Sequence, residues 1–150
     1  MPSDRLLLQE IHRNDPWKLL VSCVLLNITN RDQVDGVVNE LFTLWSSPQE
    51  MAKARKEELA EAIRPCGLQN RRAEVLIELS RAYLSLIRDL RSSWPPSLEE
   101  VAQMPGVGPY ALDSYSTFVL NKPRNRSGDK EIRAWMLREV SRASQEGGIY

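Results

Sequence analysis

The residues with the most chemistry to offer lie in the last third of the chain. The run SLEEVAQMPGVGPYALDSY, residues 97–115, sets Gly106, Val107 and Gly108 between two segments of helical pattern. Lacking Cβ atoms, such a turn lets the backbone N–H groups of Gly106, Val107 and Gly108, and of Tyr110 at the start of the next helix, come up against a phosphate. A tight helix–helix turn would also use glycines, but the flanking Leu98, Val101, Met104, Pro105 and Pro109 complete a phosphate-gripping hairpin, expected over residues 97–120. Downstream, a basic Pro/Gly-containing loop at 121–128 ends at Asp129, and a helical pattern follows at once. Asp129 is a candidate N-cap, accepting amide hydrogen bonds, a role that can coexist with chemistry. Asp113, inside the hairpin's second helix, is the competing carboxylate, with structural hydrogen bonding as its default. Lys122, Arg124 and Arg126 stand just before Asp129 and are expected to meet phosphates. His12 is the single histidine, which rules out a His-containing metal cluster and leaves a surface helix residue.

These groups must be positioned by helices. Asp15-Pro16 supplies a cap and a first-turn proline for an apolar segment, WKLLVSCVLL, that belongs in the middle of the core. Ser47 and Glu50 have capping-box spacing, as do Ser97 and Glu100. Residues 71–90 align Ala73, Leu76, Ile77, Tyr83, Leu84 and Ile87 on one stripe, a long amphipathic helix that starts after Pro65-Cys66-Gly67. Ile132, Trp135, Met136 and Val140 repeat at helical spacing opposite Arg133 and Arg138. The four tryptophans, Trp17, Trp45, Trp94 and Trp135, read as core or linker anchors. Residues 92–97, SSWPPS, form a stiff polar linker. Strand signals are poor, so the expectation is an all-α fold of eight to ten helices.

The 150 residues fit one domain spanning 1–150, and a 42% hydrophobic content excludes a disordered tail. Two cysteines are too few for a zinc site or a four-cysteine iron–sulfur cluster, and they suit a reduced compartment. No stretch approaches the roughly 18 apolar residues of a membrane span, so no membrane partner is expected. Twenty basic residues balance twenty acidic ones, yet the balance hides a pattern. Residues 1–63 carry seven Lys/Arg and ten Asp/Glu, 64–94 six and three, 95–120 none and three, and 121–150 seven and four. Two basic stretches thus flank the acidic segment that holds the hairpin.

A helical hairpin, then a Gly/Pro loop, then an aspartate resembles the helix-hairpin-helix DNA glycosylase superfamily, to which endonuclease III belongs. The likeness sharpens against one branch, the glycosylase domain of methyl-CpG-binding mismatch thymine/uracil glycosylases. Asp15-Pro16-Trp17-Lys18-Leu19-Leu20, Leu26-Asn27 with Thr29, Gly67-Leu68 with Arg72-Ala73, and Gly106-Val107-Gly108 with Tyr110 and Asp113-Ser114-Tyr115 resemble it in order, over roughly residues 6–142. The resemblance implies helices in two lobes around a DNA-binding cleft, with no iron–sulfur cluster. Asp129 would then be catalytic, stabilising an oxocarbenium-like sugar or orienting water as the base leaves. Tyr110 stands where endonuclease III has its Schiff-base lysine, so a monofunctional enzyme without lyase activity is expected. Tyr110, Gln9 and Lys130 would line the base pocket. Leu68 and Ile28 would enter the duplex, and Gly106, Val107, Gly108, Tyr110, Arg71, Arg72 and Arg126 would hold its backbone. Ile28 replaces an arginine of that branch; it can wedge but cannot pair with an orphan guanine. Glu131 stands where the branch has a lysine.

The implied substrate is uracil or thymine in G·U or G·T duplexes, with double-stranded DNA as partner, no cofactor, and no metal beyond a cation on the hairpin backbone. A monomer is expected, in the nucleus of a eukaryote or otherwise in the cytoplasm or nucleoid. The alternatives are a glycosylase for oxidised pyrimidine or mismatched adenine, and a non-catalytic DNA-binding module.

Overall fold

The computed structural model describes residues 5–27, 29–89 and 94–145, and every regular element in them is helical. The order is α1 (Leu8–Ile11), α2 (Pro16–Leu26), α3 (Arg31–Leu44), α4 (Pro48–Ala52), α5 (Lys56–Ile63), a 3₁₀ turn (Arg64–Cys66), α6 (Gln69–Arg88), α7 (Leu98–Ala102), α8 (Pro109–Ser114) and α9 (Lys130–Gln145). The last residues of the hairpin, Tyr115–Val119, continue α8 as a π-helical turn. None of the described helices is long and apolar enough to cross a membrane.

The apolar pattern puts α2 at the centre. Asp15 caps it by accepting from the Lys18 amide at 3.1 Å, and Pro16 occupies its first turn. Trp17, Leu19, Leu20, Val21 and Leu25 are then buried on all sides, each contributing about 1.5–3 kcal/mol of transfer free energy. The Trp17 indole satisfies its N–H on Ser80 Oγ of α6 at 3.0 Å. With α1, α3, α6 and α8 all packed on it, α2 joins the α3–α6 half of the molecule to the hairpin.

Four local expectations change. Ser47 caps α4 by accepting from the Glu50 amide, but Glu50 Oε1 takes the Ser46 hydroxyl instead of closing the box. His12 is half-buried, its ring edge-on to Phe42 at 5.2 Å, because it ends α1 against α3. On α9, Ile132 is buried and Trp135 rests edge-on to Phe118, yet Val140 is 67% exposed, since the stripe runs past what the helix packs on. Residues 92 and 93 of the linker lie outside the described residues, and Trp94, far from anchoring, is exposed.

Candidate active site

The hairpin turn is built by local caps. Ser97 Oγ accepts from the Glu100 amide and Glu100 Oε1 accepts from the Ser97 amide, so α7 begins with a closed capping box. Gly106 takes φ +79°, and a Cβ there would meet Val75 Cγ1 of α6 at 2.5 Å and Val24 Cγ2 of α2 at 3.2 Å. Packing therefore demands this glycine, whereas Gly108 opens onto free space. Val107 corrects the sequence reading: its N–H donates to the Met104 carbonyl within the turn and is not available to a phosphate. The amides of Gly106, Gly108 and Tyr110 have no acceptor among the described residues.

Beside the turn lies a cavity of about 540 Å³, within the usual range for a small-molecule pocket. Gln9, Tyr110, Asp129 and Glu131 line it together with Leu26 and Asn27 at the end of α2. Gln9 is 1% exposed, and its Nε2 donates to Tyr110 Oη at 2.6 Å and to Ser114 Oγ at 3.1 Å. A residue from the first helix is thus locked to the hairpin. Burial, then the nearby Cys23 and Asp129, raise the Tyr110 phenol well above its ordinary value, so it stays protonated. Lys130 is exposed and does not line the cavity. One residue further round α9, Glu131 does, which moves the pocket contact from a cation to a carboxylate.

Asp129 sits where the loop becomes α9. Its Oδ2 accepts from the Ile132 amide at 2.9 Å, and its carbonyl accepts from the Arg133 amide at 3.1 Å. Asn125 brackets its main chain: Oδ1 accepts from the Asp129 N–H at 2.9 Å and Nδ2 donates to the Asp129 carbonyl at 3.1 Å. The other carboxylate oxygen takes no hydrogen bond from any described residue. One oxygen caps a helix while the residue lines the cavity, so the two roles coexist. A carboxylate held this way can stabilise positive charge or orient a water.

Asp113, the competing carboxylate, is fully buried and does not line the cavity. It accepts from the amides of Arg126 and Ser127 and from Ser127 Oγ. Arg124 lies 3.2 Å from it as an ion pair and is therefore committed inward, not to phosphate. Lys122 and Arg126 are exposed.

Leu68 opens α6 in the left-handed region, φ 50° and ψ 37°, with 65% of its surface exposed. A branched apolar side chain in that conformation costs roughly 1–2 kcal/mol, and exposure returns none of it. Arg71 is exposed, with only an outward contact to Glu74. Arg72 corrects the sequence reading: it is buried, and its guanidinium donates to the carbonyls of Leu25, Asn27 and Cys66 and to Thr29 Oγ1. Helical phase explains this, since Arg72 lies one turn before Leu76 on the buried stripe. Ile28 falls outside the described residues.

The profile of the HhH-GPD superfamily of base excision DNA repair proteins matches residues 21–142. The chain belongs to that superfamily. A methyl-CpG-binding domain protein 4-like protein of Arabidopsis thaliana is 40% identical over 112 residues, covering 75% of this chain and 23% of that protein. Endonuclease III of Thermotoga maritima is 36% identical, covering 63% of this chain and 43% of that one. Among solved structures, a thermostable thymine-DNA glycosylase superposes with a TM-score of 0.67 at 29% identity, over 80% of this chain and 54% of that one. An endonuclease III–DNA complex gives 0.62 at 28% identity, over 77% and 52%. The chain spans less than half the length of these two sequence relatives. The all-helical architecture is the HhH-GPD glycosylase fold. The two cysteines, Cys23 and Cys66, are free and buried, and no group of three or more His, Cys, Asp or Glu among the described residues fits a metal.

Sequence reasoning marked Glu131 only as a departure from the branch's lysine, and it missed Asn125 as the bracket on Asp129 and Arg72 as an internal clamp. Of those two, only Arg72 left a signal, its phase with Leu76, Leu79 and Tyr83.

Proposed function

We propose that this chain is a monofunctional DNA glycosylase of base excision repair that flips uracil or thymine out of G·U or G·T duplex DNA and hydrolyses its glycosidic bond. The observation that carries the reading is Asp129, with one carboxylate oxygen fixed as a helix cap, lining a cavity next to Tyr110 and Gln9. As the bond from C1′ to the base breaks, positive charge grows on the sugar, and the Asp129 carboxylate stabilises it or holds the water that adds to C1′. The base leaves with the bonding electrons and an abasic site remains. Gln9 and Tyr110 contact the flipped base. Leu68 fills the gap it leaves, and mismatched pairs cost least to open. The free amides of the hairpin turn, with Arg71 and Arg126, hold phosphates.

Tyr110 supports the absence of strand cleavage, because a phenol cannot form the Schiff base that a lysine forms. The test is a duplex with a single G·U or G·T pair. Strand breakage at the lesion is expected only after alkali, and borohydride should trap no protein–DNA adduct. Breakage without alkali together with a trapped adduct would overturn the monofunctional reading. Steep salt-dependent duplex binding with no base released from any lesion would instead make the chain a non-catalytic module.

A further inference from the structure

The second helix of the hairpin holds more than the turn. On one side, Tyr110 and Ser114 of α8 meet Gln9, and Tyr110 lines the cavity. On the other, Asp113 and the π-helical turn that follows hold the whole loop leading to Asp129. Ser116 Oγ donates to the Lys122 carbonyl at 2.7 Å, and the Lys122 amide donates back to the Ser116 carbonyl at 2.8 Å. Thr117 Oγ1 donates to the Arg124 carbonyl and accepts from the Arg124 amide. Asp113 then takes the Arg126 amide at 3.1 Å, the Ser127 amide at 2.8 Å and the Ser127 hydroxyl at 2.5 Å, with Arg124 as its counter-charge. Insertion of the π turn after α8 rotates Ser116 and Thr117 relative to an unbroken α-helix, and such turns recur at functional sites.

We propose that Asp113 is the positioning residue for Asp129. It anchors the loop two residues before the catalytic carboxylate, and Asn125, held in the same loop, transmits that anchorage to the Asp129 main chain. Gripping a phosphate at the turn and aiming the carboxylate at the sugar thereby become tasks of one rigid element. A buried carboxylate suits this role better than a hydroxyl, because it accepts several N–H and O–H donors at once and its charge strengthens each bond. The proposal rests on the reading of Asp129 as catalytic.

The experiment compares single-turnover base release and affinity for a duplex carrying a stable abasic-site analogue. The proteins are the wild-type chain, Asp113→Asn, Asp113→Ala, Ser127→Ala and Asp129→Asn, each counted by its analogue-binding stoichiometry. Displacing a reacting group by about 1 Å costs on the order of 100-fold, which sets the loss expected for Asp113→Ala. Asp113→Asn keeps one acceptor oxygen and should lose about 10-fold, and Ser127→Ala less, while affinity for the analogue changes less than about twofold in all three. Val38→Ala, a core truncation on α3, serves as a control that lowers stability and keeps the wild-type rate. Wild-type rates in Asp113→Asn and Ser127→Ala, or rate losses matched by equal losses of affinity, overturn the proposal. Should Asp113→Ala not fold, Asp113→Asn carries the test alone. Full activity in Asp129→Asn would sink the catalytic reading itself, a different result from a fast Asp113 variant beside an inactive Asp129 one.

Discussion

Replacing Arg72 by methionine tests whether the two segments expected to face DNA are tied together from inside. The guanidinium reaches the Leu25 and Asn27 carbonyls at the end of α2, Thr29 beyond it, and the Cys66 carbonyl just before Leu68. Thr29 Oγ1 also donates to the Cys66 carbonyl at 3.2 Å, so that acceptor stays satisfied in the variant. The Leu25 carbonyl, on a fully buried residue, does not, whereas Asn27 is exposed and its carbonyl can turn to water. One orphaned acceptor at about 1–3 kcal/mol, less the relief of no longer desolvating a cation, gives a loss of about 1–2 kcal/mol. Burial already pulls the Arg72 side chain below its ordinary pKa, the mark of that desolvation. In a chain of this size the loss amounts to a fall of about 2–8 °C in Tm. Urea and thermal unfolding measure it directly. Arg72→Lys should recover part of the loss, because an ammonium can still reach some of the acceptors. The salt dependence of DNA binding should be the same in Arg72→Lys as in the wild type, while Arg71→Gln lowers its slope by about one phosphate contact. An unchanged Tm in Arg72→Met, or a reduced salt slope in Arg72→Lys, would refute the clamp.

Other consequences follow from the same geometry. Leu68→Gly relieves a left-handed branched residue and should raise stability by about 1 kcal/mol while slowing excision from paired duplex; equal rates on duplex DNA would refute the plug role. Gly106→Ala adds a Cβ against Val75 at positive φ and should cost at least about 2 kcal/mol, whereas Gly108→Ala should unfold like the wild type; equal urea midpoints for the two variants would contradict the packing argument. His12 is held below its ordinary value of 6.5 by burial and then by Lys18, with Asp15 opposing. The folded chain therefore binds fewer protons there, and stability should fall as pH drops through the unfolded value of 6.5. His12→Phe should flatten that part of the urea midpoint's pH dependence, and an unaltered dependence would exclude His12 as its source.

Much of this molecule is legible in its sequence because its signals are local. Asp15, Ser47 and Ser97 each cap the helix they announce, and Gly106 and Pro109 turn the hairpin where their backbone preferences require. Asp129 is readable for the same reason, as a cap placed between a Gly-ending loop and an amphipathic helix. What fails is the direction of charged side chains. Arg71 and Arg72 look alike in sequence, yet one residue of phase, about 100° round α6, sends the first to solvent and the second into a nest of carbonyls. Arg124 reads as part of a basic loop until Asp113, eleven residues away, claims it. Lys130 and Glu131 exchange places by a single step round α9. The bracket that Asn125 puts on Asp129 depends on the loop's path and has no pattern to announce it.

The proposed chemistry stands on the Asp129 carboxylate. Single-turnover release of uracil from a G·U duplex by Asp129→Asn isolates it, because asparagine can still accept from the Ile132 amide and keep the helix cap. Base release should be lost with duplex affinity and Tm retained. Release at the wild-type rate would remove Asp129 from the chemistry.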